Sequence, residues 1–197
     1  MKKFSKEDER NLTILGGDVY LRRELVLDME MKLTDGQVKL LLADDDYAVR
    51  ARLVGRKDIK LTEHQINDVL KNDCFDVQLE LVKNRSIQLN DAQVRSVLFA
   101  PQSRAHASVM HHVIERLEKY TEKQLTRGIY SDEVLIVMTW LERPDFKTNE
   151  QNMAMLKSHP SVKVKDMAEK VGIRLEAEKL KSIHCVSSLV LKKPNTL

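Results

Sequence analysis

The sequence predicts an all-α protein built from repeated helix pairs, and three observations carry that expectation. Aromatic residues make up only 5% of the 197 residues, beside 6 Gly and 4 Pro, too few aromatics and turn formers for a sandwich or barrel. A helix start is written three times at a spacing of 28 residues, in Leu33-Thr34-Asp35-Gly36-Gln37-Val38, Leu61-Thr62-Glu63-His64-Gln65-Ile66 and Leu89-Asn90-Asp91-Ala92-Gln93-Val94. It recurs more loosely from Thr121, Thr148 and Glu176, so the six starts are separated by 28, 28, 31, 27 and 28 residues.

Each start has a physical reading. Thr or Asn at an N-cap accepts a backbone N–H bond, and a Gln three residues on reaches back to the cap's own N–H, closing a capping box. Asp35, Glu63 and Asp91 follow the cap, where the helix dipole favours negative charge. Apolar residues at offsets 4, 7 and 8 from the cap make one buried stripe. A shorter helix precedes each start: Leu21–Val26, Val49–Val54 and Val77–Val82 align at 28 residues. Its expected caps are Asp18, Asp46, Asp73 or Asp76, Ser103, Ser131 and Ser161. Met31, Ile59, Ile87 and Ile173 recur in the link between the two helices.

One repeat is therefore helix, short link, helix, a unit that cannot bury its apolar face alone and must stack on its neighbours. The expectation is an α-solenoid, a right-handed superhelix of about six two-helix repeats of ~28 residues. It forms a single domain over 1–197, with an N-terminal cap or tail at 1–17, repeats over 18–183 and a C-terminal cap or tail at 184–197.

The segment Leu42-Ala43-Asp44-Asp45-Asp46-Tyr47-Ala48-Val49-Arg50 resembles the aspartate-rich turn followed by Val-Arg of HEAT-like repeats and of bacterial leucine-rich-repeat variants. Leu156–Ala168, with Pro160 in its turn, is a second such stretch. The resemblance covers roughly 18–183, with repeats shorter than most HEAT repeats and longer than the usual variant repeat. It implies an architecture in which the second helix of each pair lines a concave binding surface, and it is silent on function.

Composition narrows the function classes. The net charge of +3, from 33 Lys+Arg against 30 Asp+Glu, does not announce a nucleic-acid binder. The N-terminus lacks an apolar signal core, and no run is long enough to span a bilayer. Cys74 and Cys185 stand far apart, as reduced thiols of a cytoplasmic protein would. No phosphate loop, nucleophile elbow or metalloprotease motif occurs, so neither an enzyme nor a cofactor is expected.

On the second-helix face, Lys39, Arg95, Phe99, Lys123, Arg127 and Tyr130 are the candidate partner-binding residues, since Arg and aromatic side chains anchor interfaces. The plainer reading has Phe99 and Tyr130 covering gaps made by the 31-residue step and the arginines facing helix C-termini. Arg50, Arg52, Arg56 and Lys57 make a local basic cluster. Their equivalents Gln78, Glu80, Asn84 and His106 do not continue it, so a solvated face is expected. Asp44, Asp45 and Asp46 are expected to form a turn and cap the next helix. His106, His111 and His112 do not share a helix face at i, i+4 spacing, and His184-Cys185 makes no ligand set, so no metal site is expected. Trp140 reads as core. Val164–Ile173 resembles the first half of a helix-turn-helix, but the acidic residues after it fit the repeat better than a recognition helix. The expected function is a non-enzymatic protein-binding module of adaptor, inhibitor or immunity type. Nucleic-acid binding is the alternative, disfavoured because Asp68 and Glu150 interrupt the basic positions.

Overall fold

The computed structural model describes residues 6–100 and 104–190. Among these the chain is all-α, with twelve helices and no strand. It divides into two compact units, Met1–Arg116 and Leu117–Leu197. The first holds α1 (Lys6–Gly16), α2 (Val19–Leu27), α3 (Asp35–Leu42), α4 (Tyr47–Gly55), α5 (Glu63–Asn72), α6 (Phe75–Lys83), α7 (Asp91–Leu98) and α8 (Arg104–Arg116). The second holds α9 (Glu122–Ile129), α10 (Val134–Glu142), α11 (Glu150–Lys157) and α12 (Val162–Val190). Within the first unit α2, α4, α6 and α8 pack in succession, while α1 packs on α3 and α5 on α7. Within the second, α10 packs on α9 and α12, and α11 on α9 and α12.

Local chemistry starts these helices largely where the sequence places them. Reciprocal capping boxes form at Thr34/Gln37, Thr62/Gln65, Asn90/Gln93 and Thr121/Gln124. The next start differs: Asn149, not Thr148, is the N-cap of α11, accepting from the Asn152 N–H at 2.8 Å. Asn caps a helix at least as well as Thr. Starting at Asn149 also puts the fully buried Leu156 seven residues past the cap, as Leu41, Val69 and Val97 stand in theirs. Asp18 and Asp46 cap α2 and α4. Cys74 and Glu133 precede α6 and α10 without a side-chain cap, and the Ser131 hydroxyl accepts from the Glu133 N–H. Ser161 immediately precedes α12; Ser103 lies outside the described residues.

The expected link near Ile173 does not form. The α12 helix runs unbroken through Gly172 and Glu176, because Ile173, Arg174 and Leu175 offer no capping oxygen to start a new helix. Ile173 is exposed, and the continuous helix leaves no room for a helix-turn-helix at this point. The side chains of His184, Cys185 and the Val186–Leu191 run lie outside the described residues.

The core follows the repeated apolar positions. Ile14, Val26, Val38, Leu41, Val49 and Leu53 form one buried cluster, and Val54, Ile66, Val69, Val77, Leu81 and Ile87 a second. Trp140 is fully buried, as expected.

Polar side chains join successive first helices, from donors 28 residues apart at Arg56 and Asn84 and somewhat differently spaced beyond. The buried Arg56 guanidinium donates to the carbonyls of Val26 (3.1 Å), Asp28 (2.8 Å) and Met31 (2.6 Å). Asn84 donates to Val54 (2.8 Å) and Arg56 (2.7 Å). Arg116 in turn donates to Val82 (2.7 Å), Asn84 (3.4 Å) and Ile87, and burial pushes its guanidinium down from the usual value. In the second unit Arg143 donates to the Leu117 carbonyl (2.8 Å) and Arg174 to that of Arg143 (3.4 Å). These acceptors lie at or just past helix C-termini, where carbonyls lack intrahelical partners and a cation opposes the dipole.

A second set binds the loops. Arg22 pairs with Asp44, Arg23 with Asp46 and Arg50 with Asp73. The hydrogen bond and charge of Arg23 hold the Asp46 carboxyl below its usual range, as those of Arg56 hold Asp58. Arg22, Arg50 and Gln78, one repeat apart, each also donate to a carbonyl of the preceding turn, at Gly17, Asp44 and Asp73.

Two stability predictions follow from these contacts. Arg56→Met keeps the apolar stem and removes a donor from three carbonyls, of which Asp28 keeps the Met31 N–H, so urea unfolding should register a loss of about 2–4 kcal/mol, while exposed Arg52→Ala changes stability by no more than ~0.5 kcal/mol. Gly128 on α9 is fixed by space: a Cβ there would stand 1.8 Å from the Trp140 indole nitrogen. Gly128→Ala should destabilise the second unit by about 1–3 kcal/mol, with a red shift in the fluorescence of the single Trp.

Candidate functional site

The side of the first unit built from α1, α3, α5 and α7 is tied by the same Gln that closes each capping box. Gln37 extends its amide nitrogen to the Asn11 side-chain oxygen (3.0 Å), bringing α3 onto α1. Gln93 does the same to Asn67 (3.1 Å), bringing α7 onto α5. Both Gln side chains are buried as a result. By the same 26-residue offset, Gln65 of α5 should meet residue 39 of α3. That residue is Lys39, and an ammonium has no lone pair to accept with. Gln65 is only half-buried, and no Cα of α3 comes within 8 Å of one in α5.

The untied helices leave a groove of about 720 Å³ between them. Leu42 and Val69 form its apolar floor; exposed Lys39 stands on the α3 wall and His64, Asp68 and Asn72 on the α5 wall. His64 and Asp68 approach to 2.9 Å, fixing an acid opposite the lysine. The Arg50–Asp73 pair, 2.8 Å apart, also lines the groove; its hydrogen bonding raises Arg50 above the usual guanidinium value against the opposing cost of burial. An apolar floor between one cationic and one acidic wall suits a segment carrying both an apolar side chain and charge.

Of the six candidate partner residues, Lys39 lines this groove. Arg95 is exposed on α7, and Phe99, the C-cap of that helix, is 37% exposed. Lys123 and Arg127 are exposed on α9, and Tyr130, its C-cap, is 53% exposed. Asp68, read from the sequence only as an interruption of positive charge, is part of the groove wall. The signal for it lay in position 39, the one place among Asn11, Lys39 and Asn67 where a tying acceptor is replaced by a cation.

The basic cluster is corrected. Arg56 is 2% exposed and bound to three carbonyls, and Arg50 is bound to Asp73; only Arg52 and Lys57 are exposed. Asp46 caps α4 and Asp44 accepts from the Asp46 N–H at 2.9 Å, the turn role expected of them. His106 lies 2.9 Å from the Val97 carbonyl, whereas His111, His112 and Glu115 bring potential ligand atoms within 4.8 Å of one another.

Comparison with known proteins gives no match: no family model fits the chain, and no curated protein and no solved structure matches it. No described helix is long and apolar enough to cross a membrane.

Replacing Lys39 by Asn supplies the missing acceptor. Lys39→Asn should draw α3 onto α5 and raise stability in urea unfolding by about 0.5–1.5 kcal/mol; unchanged stability would show that the groove does not depend on this residue.

Proposed function

We propose that the helix pairs are repeats of a right-handed α-solenoid of the HEAT-like kind, and that the chain is a non-enzymatic protein-binding module whose α3–α5 groove holds a segment of its partner. The observation that carries this reading is the groove itself: a place where the periodic Gln tie is missing, with an apolar floor and opposed charges on its walls. A partner segment with an apolar side chain for the Leu42–Val69 floor, an acid for Lys39 and a base for Asp68 is complementary to it.

Nucleic-acid binding is the weaker reading. Arg22, Arg23, Arg50, Arg56, Arg116 and Arg143 are spent on carboxylates and carbonyls within the fold, which leaves fewer cations to neutralise phosphates. An adaptor, inhibitor or immunity-like role in the cytoplasm fits a module of this kind, with no cofactor required.

The test is a pull-down with the tagged full chain from its native source, after nuclease and at two salt concentrations. The comparison is between wild type, Asp68→Lys and Lys163→Glu, which changes an exposed residue of the second unit. One protein retained by wild type and Lys163→Glu, and reduced at least about tenfold by Asp68→Lys, a loss near 1.4 kcal/mol, is the expected result. Equal retention by all three removes the groove from the reading. Recovery of nucleic acid that falls steeply with salt instead favours the alternative.

A further inference from the structure

The last turns of α8 bring together three side chains with ligating atoms, His111, His112 and Glu115, outside the groove lining. On a helix His111 and His112 point about 100° apart, and Glu115, four residues past His111 and three past His112, lies at about 40° between them and one turn on. The Glu115 Oε2 is 3.5 Å from His111 Nε2 and 3.2 Å from His112 Nδ1. For metal–ligand bonds of about 2.1 Å, ligands of a tetrahedral ion stand ~3.4 Å apart. Two edges of the set thus already have the right length. The third, between the two imidazoles, lies within 4.8 Å.

The repeat register explains why His112 falls beside His111 and Glu115. Asp28, Arg56 and Asn84 mark the rung position every 28 residues, and the next in that series is His112. The α8 helix is 13 residues long where α2, α4 and α6 are 9. Its extra turn moves the rung to Arg116 and leaves His112 beside His111 and Glu115.

The geometry points to His111, His112 and Glu115 as a binding site for one divalent ion of the borderline class, such as Zn²⁺, which accepts imidazole and carboxylate ligands together. Three protein ligands leave a fourth position for water or for a group from a partner. Ligation requires both imidazoles neutral and sets Glu115 as the shared anionic arm.

The experiment is calorimetric titration of the untagged full chain with Zn²⁺, followed by Co²⁺ titration read by visible absorption. One equivalent should bind to wild type, with cobalt bands of a tetrahedral environment. His112→Ala and Glu115→Gln should each weaken binding at least about tenfold, since even loss of an outer-shell partner has an effect of that size, and both should abolish the cobalt bands. His64→Ala, which removes the other His–acid pair on a helix face, should bind as wild type does. Circular dichroism checks folding, and exposed Glu115 carries the test if His112→Ala is unfolded. Absence of saturable binding to wild type, unchanged binding in folded Glu115→Gln, or loss of binding in His64→Ala would overturn the site.

Discussion

A helix that stops inside a stack leaves its last carbonyls without amide partners, and burying them unbonded is costly. This chain answers that constraint from the neighbouring repeat. Arg56 bonds the end of α2, Asn84 the end of α4 and Arg116 the end of α6. Each donor also offers its own backbone carbonyl to the next, as Arg56 does to Asn84 and Asn84 to Arg116. A residue at this position therefore faces both ways, and a repeat without a stacked neighbour would leave its helix end orphaned. The length of the donor affects the spacing it can bridge: α4 and α6, joined by the shorter Asn, pack more extensively than α2 and α4 or α6 and α8, joined by Arg.

The parts of this fold that were legible in the sequence are those set by near neighbours. A capping box spans three residues and an apolar stripe two turns, so the four boxes and the Val, Leu and Ile core could be read directly. The roles of Arg56 and Asn84 were misread because their carbonyl partners lie 25 to 30 residues away. Arg50, Gln78 and His106, like Arg56 and Asn84, differ in charge, and variation in charge suggested solvent. What they share is an N–H donor, and that was the relevant periodicity. The break expected at Ile173 failed for the opposite reason, since apolar spacing without a capping side chain does not end a helix.

The same distinction governs the sites. Lys39 was picked out as an exposed second-helix residue, but its effect on the fold comes from what it cannot do for Gln65. Glu115 was missed as the acid that pairs with the histidines, although its spacings of four and three residues to His111 and His112 are local and were readable.

Both candidate sites occur where the repetition is interrupted. A stack of identical repeats would have every inner polar position tied and every rung in register, with no groove and no ligating side chains left over. Changing an acceptor to a cation at position 39 removes one tie and opens the α3–α5 groove while the ties on either side, at Asn11 and Asn67, persist. Adding one turn to α8 moves one rung from position 112 to Arg116 and leaves the chain of helix-end hydrogen bonds intact. On the solenoid reading proposed above, stability is a sum over neighbouring junctions, and each departure costs only its own junction. The periodic framework can therefore hold both departures in fixed geometry, and they are the positions at which this chain differs chemically from the repeat that builds it.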